Sequence, residues 1–201
     1  MAEGLDDLVM RIRACRICAE AKRPLPHAPR PVLQPGPGAR LLIAGQAPGV
    51  RVHASGRPFT DPSGVRLRDW LGLDEATFYD PHHVAIVPMG FCFPGLDGKG
   101  ADLPPRPECA PAWRAQLLAC MPKIELVVCL GAHAMRWHMG AAWPGSVDAA
   151  VRSWRAGLAL SPPVIALPHP SWRNSGWLKR NPWFAADLLP ELRDRVARLV
   201  A

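Results

Sequence analysis

Four short runs of unbroken apolar residues punctuate the chain: Leu41–Ala44, Val84–Val87, Leu126–Leu130 and Val164–Leu167. Runs of this length, apolar at every position instead of alternating, predict strands buried on both faces. Between them, spacing and composition predict helices over Ser63–Leu71, Pro107–Cys120 and Ala132–Met139. A last helix is expected around Phe184–Val200, with Leu188, Leu189, Leu192, Val196 and Leu199 as its core-facing stripe. Near the N-terminus, Leu5, Leu8 and Ile12 suit a short amphipathic helix from Leu5 to Arg13 that runs into Cys15. The alternation of strand and helix predicts an α/β fold with a parallel sheet covered on both faces, its functional loops at the carboxyl ends of the strands. From Arg23 to Gly38, six prolines and two glycines exclude a regular helix and predict an extended segment pinned across the surface.

At 201 residues, 49% of them hydrophobic, the chain suits one domain spanning 1–201. No apolar stretch is long enough to cross a bilayer, and the opening MAEGLDDLVM is acidic where a secretory signal is basic, so a soluble, cytoplasmic protein is expected. In a reducing compartment the six cysteines are not expected to form a disulfide framework; any that act together suit a metal or cluster. A net charge of +7 and a pI near 9.5 favour a polyanionic partner without separating DNA from RNA or a membrane surface.

Chemistry concentrates at two strand ends. After the first strand, Gly45-Gln46-Ala47-Pro48-Gly49 forms a rigid turn whose backbone amides can approach a ligand. It has neither the G-x-G-x-x-G spacing nor a following Lys-Ser/Thr pair, which disfavours nucleotide cofactors. Six residues later comes Gly56-Arg57-Pro58-Phe59, and four residues after that Gly64-Val65-Arg66-Leu67. After the last strand, Pro168-His169-Pro170-Ser171-Trp172-Arg173-Asn174 follows directly.

Together these blocks resemble the uracil-DNA glycosylase superfamily, and among its branches the iron–sulfur, thermophile-type enzymes, over roughly Cys15 to Trp183. The resemblance implies a three-layer α/β/α sandwich with a central, mainly parallel four-stranded sheet. It implies a monofunctional DNA glycosylase of base excision repair that flips a base out of DNA, acting as a monomer. By position Phe59 would stack on the flipped base, with Ala47 and Pro88 beside it, and Gln46 would hold water or sugar. His169 would stabilise the negative charge that develops on the departing base. Ser171, Arg173, Lys179 and Arg180 would contact DNA, and Trp172 to Trp183, three tryptophans interleaved with three cations, would form a strand-insertion loop. No lysine stands in either motif to form a Schiff base, so no strand cleavage is expected.

Cys15-Arg16-Ile17-Cys18 is a C-x-x-C pair outside any thioredoxin-like context. Cys92 and Cys109 occur where the iron–sulfur glycosylases carry their third and fourth ligands. Four thiolates suit a [4Fe–4S] cluster or one zinc ion, and the resemblance favours the cluster; buried structural cysteines are the alternative. Cys120 and Cys129 read as core residues.

The chain departs from the family pattern twice. Gln46 and Ala47 stand where relatives orient water with an acidic or amide group, leaving His53 and Asp61 as the nearest candidates, His53 by ungapped position. Pro88 stands where uracil-specific relatives place an Asn, so uracil is the first expectation, with hypoxanthine or xanthine as alternatives. A non-catalytic nucleic-acid-binding protein of the same fold is the rival reading.

Overall fold

All four apolar runs are strands in the computed structural model, which describes residues 4–201; the first three residues of the acidic opening lie outside it. The strands are β1 (Leu41–Ala44), β2 (Val84–Ile86), β3 (Leu126–Leu130) and β4 (Val164–Leu167), and every strand residue is buried. They form one parallel sheet in the order β2-β1-β3-β4, with Leu41 opposite both Val84 and Leu126, and Val127 opposite Val164. The fold is a three-layer α/β/α sandwich. Val87 leaves β2 one residue earlier than expected but still donates its N–H to Ile43 O (3.0 Å).

Ten α-helices surround the sheet among the described residues: α1 (Leu5–Arg13), α2 (Val50–Ser55), α3 (Pro62–Leu71), α4 (Glu75–Phe78), α5 (Cys109–Ala119), α6 (Ala132–Met139), α7 (Val147–Arg152), α8 (Trp154–Gly157), α9 (Ser175–Arg180) and α10 (Leu189–Val200). One π-turn, Phe184–Leu188, runs straight into α10, so the expected last helix is continuous. Leu8, Val9 and Ile12 bury one face of α1, and Leu189, Leu192, Val196 and Leu199 bury one face of α10. The α3 helix starts where the Asp61 side chain accepts from the N–H groups of Ser63 and Gly64, with Pro62 in its first turn, and stops at Gly72 in the left-handed region.

The proline-rich segment is pinned as expected, along the open edge of β2. Gln34 and Ile86 exchange N–H···O bonds of 2.8 and 2.7 Å in an antiparallel bridge, and Val32 donates to Phe91 O (2.7 Å). Val32 and Leu33 are buried beneath it. No helix among the described residues is long and apolar enough to cross a membrane.

Candidate functional site

Beyond the strands, the backbone ladder continues. Met89 N–H donates to Gly45 O and Gly90 N–H to Gln46 O, both at 2.9 Å, so the β1 loop and the segment after β2 are zipped together. Gly45, Gln46, Ala47, Pro48 and Gly49 form one wall of an open cleft with about 550 Å³ of empty space; Phe59, Ile86, Pro88, Asp102 and His169 complete it. A wider groove opens from the same residues and is lined further by Arg51, Arg66, Ser171, Trp172 and Arg173. The structure thus gathers Gln46, Ala47, Phe59, Pro88 and His169 at one cleft, with Ser171 and Arg173 on the groove that leads to it.

Phe59 is held in an uncommon backbone conformation, φ 55°, which for a bulky residue costs on the order of 1–3 kcal/mol and persists only where neighbours enforce it. Two neighbours do. The Tyr79 hydroxyl donates to the carbonyls of Pro58 (2.7 Å) and Phe59 (3.1 Å). Gly64 lets the first turn of α3 rest on Phe59: a Cβ at Gly64 would stand 1.9 Å from Phe59 O. The Phe59 ring lies over Gly45, its Cζ 3.6 Å from where a Cβ would stand, and meets Phe78 edge-on. The motif glycine therefore serves the aromatic wall. Arg66, from the same motif, donates to Ser171 O (2.9 Å) and bridges α3 to the loop after β4.

Pro88 lines the cleft, and its carbonyl is gripped from behind. Arg114 of α5, fully buried, donates from Nη1 to Val87 O and Pro88 O, both at 3.0 Å, and its guanidinium also reaches His138 Nε2. Burial and the neighbouring guanidinium push the His138 pKa down to about 3, so this imidazole is neutral and accepts from Arg114. Arg114 feels the same burial, which lowers its pKa to about 10.

His169 follows β4. Burial holds its pKa below the ordinary histidine value, opposed by the charges of Asp61 and Asp102. A neutral ring with an N–H to offer is therefore its state near pH 7. Asn174 fixes the backbone here by donating from Nδ2 to His169 O (2.7 Å). Ser171 uses its hydroxyl to accept from Arg173 N–H (3.1 Å), starting a 3-10 turn at Trp172–Asn174 that leads into α9. The segment Trp172 to Trp183, expected as a loop, is thus largely helical. Two of its three tryptophans are anchors: Trp177 donates to Asp148 Oδ1 (2.7 Å), Trp183 to Asn181 Oδ1 (3.1 Å), and both pack on Phe184. Trp172 alone of the three is open, at 76% exposure, beside the exposed Arg173; Lys179 and Arg180 are exposed at the end of α9.

His53 is placed elsewhere. Its ring packs against His27 (4.2 Å between centroids) and Phe93, with Nδ1 buried and without a hydrogen-bond partner, and it is not among the residues lining the cleft. The residue that sequence reasoning missed is Asp102. It lies on a short hairpin, paired with Leu96, and its carboxylate reaches Gly49 of the first motif, Oδ2 standing 3.2 Å from where a Cβ would be. The Asp-Gly-Lys-Gly turn at 97–100 signals a hairpin, but nothing in it tells where the hairpin folds.

The expected cysteines converge as well. Cys15, Cys18, Cys92 and Cys109 all line one cavity with about 410 Å³ of empty space, walled by Ile12, Pro29, Pro31, Phe91 and Trp113. Phe91 N–H donates to Cys109 Sγ (3.4 Å). Burial pushes the Cys92 thiol up to about 11 and Cys109 up to about 12. Among the described residues, no group of three or more His, Cys, Asp or Glu side chains is arranged to hold a metal ion. Cys129 is buried in β3 as expected, and Cys120 caps the end of α5.

The cleft lies at the carboxyl ends of a parallel sheet, walled by GQAPG, a constrained Phe and an HPS loop. The family model described as the Uracil DNA glycosylase superfamily matches residues 33–193, from the edge segment into α10. The chain therefore belongs to the uracil DNA glycosylase superfamily, a family of DNA glycosylases that act in base excision repair.

Proposed function

We propose that this protein is a monofunctional DNA glycosylase that hydrolyses the N-glycosidic bond of a flipped nucleotide, with uracil as its first substrate. The observation that carries the reading is the cleft itself, where Phe59, Pro88 and neutral His169 face one space beside the GQAPG backbone. The base enters between the Phe59 ring and the Pro88 wall. As the glycosidic bond lengthens, electrons move onto the base, and the His169 N–H stabilises that charge without having to lose a proton first. The transition state is oxocarbenium-like, so a weakly activated water suffices as nucleophile. Gln46 and the loop amides hold the sugar. Trp172 and Arg173 stand at the groove mouth, suited to filling the gap in the stack and to contacting phosphate.

Pro88 supports a second specificity. With no N–H and with its carbonyl committed to Arg114, it reads no pairing edge, which favours acceptance of hypoxanthine or xanthine beside uracil. The four cysteines lining one cavity, with an amide N–H directed at the Cys109 sulfur, support a [4Fe–4S] cluster, with zinc as the alternative. Cys15, Cys18, Cys92 and Cys109 would hold it, and it would act as a structural tie between α1 and α5.

Release of base from labelled oligonucleotides carrying uracil, hypoxanthine, xanthine or no lesion, single-stranded and paired, tests the reading. Alkali-labile abasic sites that depend on one lesion support it; DNA binding without release from any of them replaces it with the non-catalytic binder.

A further inference from the structure

The GQAPG loop carries no carboxylate, so a carboxylate base for this cleft has to come from another segment of the chain. The Gln46 side chain is directed to the β3 loop, 3.9 Å from where a Cβ on Gly131 would stand. Asp61 spends Oδ1 on Ser63 and on the first N–H groups of α3. His53 faces His27 and Phe93. Asp102 differs in chemistry and freedom: unlike Gln46 and His53 it is a carboxylate, and unlike Asp61 neither of its oxygens is taken up at a helix start. It lines both the cleft and the groove, and among the described residues its side chain makes no hydrogen bond, leaving both oxygens free for a ligand.

Its position is built, not incidental. Asp97 N–H donates to Ala101 O (2.8 Å) and Leu103 N–H to Gly95 O (2.9 Å), closing the hairpin. Asp97 Oδ1 accepts from the N–H groups of Lys99 (2.9 Å) and Ala101 (2.8 Å), fixing the turn that precedes Asp102. On the other side, the last glycine of GQAPG leaves the space into which the carboxylate projects; any side chain at Gly49 would crowd Oδ2.

Resting on the glycosylase reading above, we propose that Asp102 is the catalytic carboxylate of this site, a residue brought from a separate hairpin to orient the attacking water and take its proton. The C1′–N bond breaks and its electron pair passes to the base, stabilised by His169. Water oxygen forms the new C1′–O bond, its proton passes to an Asp102 oxygen, and Asp102 returns that proton to the departed base or to solvent. One water is consumed, and one free base and one abasic sugar result. The surroundings fit a base: Asp102 remains open to solvent, yet desolvation by the protein around it raises its pKa above the usual carboxylate value. Asp61 adds to that shift, while Arg173 and His169 oppose it. Arg51 of α2 lines the same groove.

The test compares wild type with Asp102→Asn, Asp102→Ala and Asp102→Glu, using single-turnover release from the lesion oligonucleotide that wild type cuts best, and anisotropy binding of that oligonucleotide. The expected result is a loss of roughly 100-fold or more in the release rate of Asp102→Asn. DNA binding should be kept or tightened, since a negative charge leaves the groove, and Asp102→Glu should recover part of the rate. Wild type should lose rate as pH falls through a midpoint above 3.8, the ordinary Asp value, and Asp102→Asn should lack that limb. Asp102→Asn within about threefold of wild type, far short of general-base effects, overturns the assignment while leaving the glycosylase reading intact, as does a loss explained wholly by weaker binding. A wild type silent on every lesion overturns the glycosylase reading and this assignment with it.

Discussion

The cleft and the cysteine cavity are close neighbours along the chain, Pro88 walling one and Cys92 the other, yet they are built on opposite physical terms. The cavity is lined mostly by apolar residues, and burial raises the pKa of Cys92 and Cys109, so those thiols are neutral there. The cleft stays open, keeps carboxylates and a neutral histidine at its rim, and stores backbone strain at Phe59. Between them stands α5, which starts at Cys109 in the cavity and, through Arg114, grips the Pro88 carbonyl behind the cleft. The contrast is between an apolar, thiol-lined cavity and a more open cleft that carries charged and polar groups.

The sharpest way to break this contrast is His169→Ala. It should lower base release by roughly 10²–10³-fold, about 3–4 kcal/mol, with DNA affinity retained, as single-turnover rates and anisotropy would show. Unchanged turnover would remove His169 from the chemistry. Next in size, Cys109→Ser should abolish the visible absorbance of anaerobically purified protein. It should also lower Tm by about 6–12 °C, the equivalent of roughly 3 kcal/mol in a chain of this length, by scanning calorimetry. Colourless wild-type protein carrying stoichiometric zinc would replace the cluster.

Phe59→Ala should slow release about 10- to 100-fold through lost stacking, about 1–3 kcal/mol, and should also lower Tm, because alanine keeps a Cβ and with it the strain at φ 55° while losing the ring's contact with Phe78. A pH-dependent effect reports on the bridge between the regions. His138 is held far below its ordinary 6.5, to about 3, so between these values the unfolded chain takes up a proton that the folded chain refuses. This contribution to stability is present above pH 6.5 and is lost as pH falls toward 3, by up to about 1.4 kcal/mol per pH unit. His138→Gln, which keeps an acceptor for Arg114, should flatten that acid slope in urea titrations at pH 4–7, a range chosen as roughly the window in which histidine titrates.

The sheet was legible because burial on both faces leaves an unambiguous mark: every residue of Leu41–Ala44 and Val164–Leu167 is apolar and every one is buried. Long helices with a stripe, such as α1 and α10, were legible for the same reason. The short helices α2, α4, α7, α8 and α9 were not, since four to six residues give periodicity no room and they stand on local caps such as Asp74 and Ser146. Within the site, contiguous motifs carried Gln46, Phe59 and His169 to one place. Asp102 and Arg114 escaped notice because their roles depend on which distant loop or wall they reach, a tertiary fact that no spacing encodes. His53 shows the opposite case: adjacent in sequence to the motif, it sits on α2 with its ring against His27 and not among the residues lining the cleft.

The proline-rich segment along β2 has one more consequence. An uncovered edge strand is a template on which a second copy of the chain can add its own strand. Here Gln34 satisfies Ile86 in both directions, while Pro31, Pro35 and Pro37 offer no N–H from the outward side to continue a ladder. The strap therefore ends the sheet at four strands and leaves the β2 edge without a free ladder at Ile86. Pro29 and Pro31 also wall the cysteine cavity, so a change in the packing of that cavity bears directly on the strap that covers the sheet edge.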